Sequence, residues 1–121
     1  MKEPKIEEFK AFRERLNQRI LEMGSTNTKR FFNLDSAVYR DGALSAKTKE
    51  LMGLVTSMVL RCDDCITYHI IRCVRCGVTN EEFFEAFDIA LSVGGSIVIP
   101  HLRRAVDTLL KVRNQEGGID T

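Results

Sequence analysis

The sequence lacks a surplus charge, a long apolar run and any repeated or low-complexity tract. Its 18 basic and 17 acidic side chains leave a formal net charge of +1 over 121 residues. Without a field of one sign there is nothing to gather phosphate backbones or anionic lipid, so neither nucleic acid nor a membrane surface is an expected partner. No stretch is long and apolar enough to span a bilayer, and the opening MKEPKIEEFK is charged where a signal peptide would be apolar. A cytoplasmic location is the resulting expectation. Thiols are kept reduced there, so the four cysteines point to redox chemistry, metal binding or packing rather than a secreted disulfide framework. Proline is scarce, with only Pro4 and Pro100, fewer than an all-β chain would carry. The length suits one domain over residues 1–121, with a core that needs no covalent staples.

What is present is helical spacing. Ile6, Phe9, Leu16, Ile20 and Met23 recur at intervals of three, four and seven, with Pro4 suited to a first turn and Gly24 to a stop. A short second helix carries Phe31, Phe32, Leu34 and Val38 up to the Asp41-Gly42 turn. Ser45 caps a third helix bearing Leu51, Leu54, Val55, Met58 and Val59. A break near Asp63-Asp64 opens a fourth, which Gly77 ends. Thr79 to Glu82 reads as a capping box for a fifth, with Phe83, Phe84, Phe87, Ile89 and Leu91. Gly94-Gly95 separates it from a last helix that starts near Pro100, and the tail EGGIDT is expected to fray. The fold class is all-α, with about six helices.

The chemistry is concentrated in RCDDCITYHI, residues 61–70. Cys62, Cys65, His69, Cys73 and Cys76 are spaced three, four, four and three apart, one stripe on a helix. A continuous helix would hold Cys62 and Cys76 roughly 20 Å apart, too far for one zinc ion with bonds of about 2.0–2.3 Å. No bound metal is therefore expected. A C-x-x-C at a helix start needs only local geometry: its sulfurs can bridge, and the unpaired N–H groups and helix dipole favour a thiolate. His69, one turn past Cys65, is placed to move a proton to or from that sulfur or a leaving oxygen. The plain alternative is a packed helix with small buried cysteines and a structural histidine. Glu50 lies twelve positions before Cys62; a hairpin of the third and fourth helices would bring it towards the stripe, whereas its own helical pattern alone places it on the surface.

Glu50, Cys62, Cys65 and His69 at these spacings resemble the carboxymuconolactone decarboxylase and alkylhydroperoxidase D family. The matching parts are KEL at 49–51, CDDCITYH at 62–69, GVTNEEFFEA at 77–86 and GG at 94–95, covering about residues 45–112. The resemblance implies an all-helical domain with the C-x-x-C at the start of a central helix, assembled into trimers or hexamers. It implies a thiol-dependent peroxidase or disulfide oxidoreductase of peroxiredoxin type, acting on a peroxide and drawing electrons from a dithiol donor. In that reading Cys65 attacks the peroxide, Cys62 resolves it, and Glu50 and His69 form the proton relay. The Cys62–Cys65 disulfide is the redox element, and no separate cofactor is expected. The alternatives are a lactone or keto-acid decarboxylase using Glu50 and His69 as acid and base, and a non-catalytic redox-sensing oligomer.

Asp64, Cys73 and Cys76 fall outside this pattern or depart from it. Peroxidase-type members commonly carry histidine just before the second cysteine, where this chain has Asp64; a carboxylate there raises a neighbouring thiol's pKa. Asp64 is expected to cap the fourth helix. Cys73 and Cys76 are expected as small packing residues, with a second dithiol as the other reading. His101 is expected at the surface or in a subunit contact.

Overall fold

The computed structural model describes residues 4–116. Six α-helices follow one another: α1 (Pro4–Met23), α2 (Thr26–Val38), α3 (Ala46–Leu60), α4 (Asp63–Arg75), α5 (Asn80–Gly94) and α6 (Ile99–Glu116). A 3₁₀ turn, Ser96–Val98, leads into α6. The all-α expectation is met, and the described residues contain no strand. Of the tail expected to fray, Glu116 is the last residue of α6 and residues 117–121 lie outside the described residues.

Local signals set the boundaries. Ser25, Ser45 and Thr79 each accept a hydrogen bond from the backbone N–H three residues on, which satisfies a donor the helix itself cannot pair. At α5 the cap is reciprocal, because the Glu82 carboxylate accepts the Thr79 N–H at 2.9 Å. That bond, with Lys47 at 3.0 Å, holds the Glu82 carboxyl below its ordinary pKa. Gly77, at φ +84°, turns the chain out of α4 through the left-handed region that side-chain-bearing residues avoid. Lys49 donates to the carbonyls of Val38 and Arg40 at 2.9 and 2.7 Å, fixing the loop that carries Tyr39 against α3.

The core is built by α3 packing on α4 and α5, and α4 on α6. Leu54 and Met58 of α3 meet Ile66, Ile70 and Cys73 of α4, Phe83 and Phe87 of α5, and Ala105 and Leu109 of α6. Each large side chain so buried contributes about 1.5–3 kcal/mol relative to exposure. Three polar residues, Glu50, Ser57 and His69, are buried beside this apolar cluster.

The α1–α2 arm is different. Ile6 is buried and Gln115 of α6 donates to Glu7 at 2.8 Å, so the start of α1 is docked. Farther along, Phe12, Ile20 and Met23 are exposed, as are Phe31, Leu34 and Val38 of α2, which has no buried residue. On α5, Phe84 and Ile89 also face outward, while Phe83 and Phe87 enter the core. Helical spacing correctly located these stripes, but it carries no information about which surface covers them.

Candidate active site

The turn between α3 and α4 consists of two residues. Arg61 adopts the left-handed conformation, φ 61° and ψ 43°, and its N–H bonds back to the Met58 carbonyl at 3.0 Å. The Cys62 N–H bonds to the Ser57 carbonyl, also at 3.0 Å. These two bonds close α3 in the manner usually left to glycine, so Arg61 occupies a backbone well that favours a residue without a side chain. The tight reversal makes α3 and α4 antiparallel neighbours.

Cys62 is the N-cap of α4, and its sulfur accepts the Cys65 N–H at 3.3 Å. This corrects the expectation that Asp64 caps the helix: Asp64 lies inside the first turn, because the cap is the residue whose acceptor reaches back along the free N–H groups. The sulfurs of Cys62 and Cys65 are joined, with Cα atoms 5.3 Å apart, in the ordinary range for a disulfide. α4 then runs unbroken to Arg75, so Cys73 and Cys76 lie at its opposite end.

One turn past Cys65, His69 points back to α3. Its Nδ1 donates to Glu50 Oε1 at 2.8 Å across 19 residues of sequence. Glu50 is 1% exposed and His69 7%. The outward position suggested by the pattern of α3 alone is thus wrong, because the hairpin folds this side of the helix under α4. A carboxylate only accepts, so Nδ1 carries a proton, and Nε2 is the ring nitrogen left to face other partners. Arg72 Nε lies 3.6 Å from Glu50 Oε2, near enough for charge attraction but not for a hydrogen bond.

Aromatic rings and a missing side chain fix the imidazole. Tyr39 and Tyr68 pack against it with centroids 5.4 and 5.3 Å away. A Cβ at Gly53 would lie 2.7 Å from His69 Cε1 and 2.9 Å from Nε2, so glycine is needed there for the ring to sit where it does. Burial, reinforced by Asp35 and Glu50, raises the Tyr39 phenol's pKa and keeps it protonated. Cys65 and His69 share a cavity of about 410 Å³, walled by Phe12, Leu16, Tyr39 and Tyr68.

The other candidates fall outside this constellation. Cys73 is wholly buried, and burial, with Glu50 and Cys76 nearby, pushes its thiol pKa far up. It is a packing residue, and Cys76 is the partly exposed C-cap of α4. Iodoacetamide applied to the native protein near neutral pH should label Cys76 and leave Cys73 unmodified, which peptide mass spectrometry reads directly. His101 is neither purely superficial nor distant: its Nδ1 donates to Asp63 Oδ1 at 2.8 Å, and Arg104 reaches Asp63 Oδ2 at 3.3 Å. This cluster ties α6 to the residue following Cys62. The sequence reading missed it because 38 residues separate Asp63 from His101.

A C-x-x-C disulfide thus opens α4 and a buried Glu–His pair lies one turn along; comparison with known proteins gives the family. The model of the carboxymuconolactone decarboxylase family matches residues 26–108, so the chain belongs to that family. The match reaches further back than the motifs alone indicated and takes in α2. Two solved structures from Thermotoga maritima superpose on it with TM-scores of 0.88 and 0.85, at 66% and 62% identity. They cover 90% and 93% of this chain and are covered to 96% and 97% themselves. The second is described as a member of this family and a candidate participant in an antioxidative response. A family member from Legionella pneumophila, in its apo form, matches at TM-score 0.77 and 28% identity over 88% of this chain and 96% of its own. Uncharacterized protein 4 of the cox locus of Paracoccus denitrificans is 31% identical over 86 residues, 71% of this chain and 78% of its own length.

Proposed function

We infer that the protein is a thiol-dependent peroxidase that cycles Cys62 and Cys65 between dithiol and disulfide. The observation that carries this reading is the Glu50–His69 pair set beside the Cys65 sulfur's own cavity. In the reduced protein the Cys65 thiolate attacks the outer oxygen of a hydroperoxide ROOH. The S–O bond forms, the O–O bond breaks, and RO⁻ leaves as ROH after taking a proton delivered through His69. Cys65 is then a sulfenic acid. The Cys62 thiolate attacks its sulfur, expelling hydroxide that leaves as water and forming the Cys62–Cys65 disulfide. A dithiol donor reduces the disulfide by exchange, and its own sulfurs are oxidised in turn. The sum is one hydroperoxide and one dithiol converted to an alcohol, water and a disulfide.

The order of the cysteines is supported by position. Cys65 lines the cavity with His69, whereas the Cys62 sulfur is turned to the backbone N–H of Cys65. Glu50 holds the imidazole by Nδ1, so the proton exchanged with the reactants is carried on Nε2. Asp64, beside Cys65 on the same cavity, opposes the thiolate, and the α4 N-terminus favours it. The test is to trap the first intermediate. Cys62→Ser treated with one equivalent of hydroperoxide should accumulate a dimedone-reactive sulfenic acid on Cys65; adduct formed only at Cys73 or Cys76 would count against the assignment.

The functional unit in this reading is a homo-oligomer, a trimer or hexamer. Its support is the apolar stripe of α2 (Phe31, Leu34 and Val38), which no part of the described chain covers. An exposed stripe of this kind is ordinarily covered by a partner, and a second copy offers a matching one. Multi-angle light scattering at micromolar concentration should give three or six times the chain mass, and a monomer would contradict it.

A further inference from the structure

The Cys65 cavity does not end at the apolar residues around it. Phe9, Arg13, Asn17 and Tyr68 also line a second, larger hollow of about 840 Å³ between α1, the start of α2 and the outer side of α4. The two hollows adjoin, sharing these four residues as the common wall of one composite groove. Arg13 marks the junction, its guanidinium carbon 3.8 Å from the centre of the Tyr68 ring, and Tyr68 in turn packs edge-on against His69.

Charge is distributed unevenly along this groove. The outer hollow is lined by five basic side chains, among them Lys29, Arg72 and Arg75, against two acidic ones, Glu14 and Glu22. Glu22 is already held by Arg19 at 2.8 Å. The inner cavity has the opposite sign: Asp35 and Asp64 against Arg13, with Phe12, Leu16 and Ile20 supplying apolar wall. For a chain of net charge +1 this is a local concentration of cations. An anionic group is attracted to the outer end and repelled from the sulfur, while an alkyl chain is accommodated between them.

We propose that this groove binds an amphipathic carboxylate, with its head among Lys29, Arg72 and Arg75 and its alkyl chain directed past Phe9 and Tyr68 towards Cys65. The polarity of the groove sets the orientation of the ligand. Resting on the peroxidase reading, the substrate class is then a fatty-acid hydroperoxide whose –OOH group is carried along the chain, remote from the carboxylate. Arg72 joins the two functions, because its Nε lies 3.6 Å from the Glu50 carboxylate that orients His69.

Binding is measured separately from turnover, in Cys62→Ser/Cys65→Ser protein, which has no thiol chemistry at the site. Isothermal titration calorimetry with decanoate and with neutral 1-decanol should show decanoate binding at least about tenfold more tightly. That preference should weaken as salt is raised and disappear in a Lys29→Glu/Arg75→Glu variant whose circular dichroism spectrum is unchanged. Both substituted residues are exposed, so the fold should tolerate the reversal. With the thiols restored, the ratio of kcat/KM for a fatty-acid hydroperoxide to that for its methyl ester should fall towards one in the same charge-reversed variant. Equal binding of the two ligands, no binding of decanoate, or a preference that survives charge reversal would each overturn the proposal. Tight decanoate binding by a protein that consumes no hydroperoxide would leave the ligand site standing and refute the peroxidase reading instead.

Discussion

Alanine in place of His69 should lower the rate of hydroperoxide consumption by about 10²–10⁴-fold near neutral pH, the usual contribution of a positioned acid or base to a step that moves a proton. The loss should appear in kcat and kcat/KM together, because the imidazole acts as charge develops on the leaving oxygen and not when substrate first binds. The fold should be retained, because the apolar core of Leu54, Met58, Ile66 and Phe87 does not include His69, but at a cost in stability, because the buried Glu50 carboxylate loses its hydrogen-bond partner. Stopped-flow peroxide consumption with an excess of dithiol donor, alongside circular dichroism, separates the two effects. A His69→Ala protein that turns over as fast as the native one would remove the relay.

The second large effect is expected at Glu50, and it combines stability with activity. Glu50→Ala leaves the His69 Nδ1–H without its acceptor and removes the charge facing Arg72 Nε, both in a buried place. An unsatisfied buried donor costs about 1–3 kcal/mol, so chemical denaturation should show a loss of that order. Nε itself is buried, but 42% of the Arg72 side chain is accessible, which keeps its own share small. Turnover should also fall, because the unheld imidazole can take the other tautomer or rotate away from the cavity. Glu50→Gln retains an acceptor of the same shape and should recover much of the stability while still slowing the chemistry. Denaturant midpoints and turnover rates for both variants check this; an alanine variant as stable as the native protein would show that the pair is not structural.

The helices and their boundaries were largely legible in the sequence because they are written locally. Ser45, Thr79 and Gly77 each act on the few residues around them, and the C-x-x-C-x-x-x-H spacing places Cys65 and His69 one turn apart whatever surrounds them. The site was legible only in part, for the same reason. Glu50 looks like a surface residue on α3 and becomes buried only when α4 folds back across it. Asp63 meets His101 and Arg104 of α6 from 38 and 41 positions away, a distance over which periodicity is silent. Asp64 was the reasonable cap by residue type, yet the left-handed Arg61 shifts the helix start so that the Cys62 sulfur takes that role. The apolar spacing of α1 and α2 was correct as a helix signal, but beyond Ile6 and Phe9 much of the stripe it describes faces away from this chain's core.

The central claim is that the Cys62–Cys65 pair turns over. It is tested most directly by hydroperoxide consumption over many cycles with an excess dithiol donor, comparing the native protein with Cys62→Ser/Cys65→Ser. The account predicts that the native protein consumes many equivalents of hydroperoxide and that the double variant, folded and with its Glu50–His69 pair in place, falls to the uncatalysed rate. Equal rates for the two proteins would contradict it and leave Glu50 and His69 as an acid–base pair without redox chemistry.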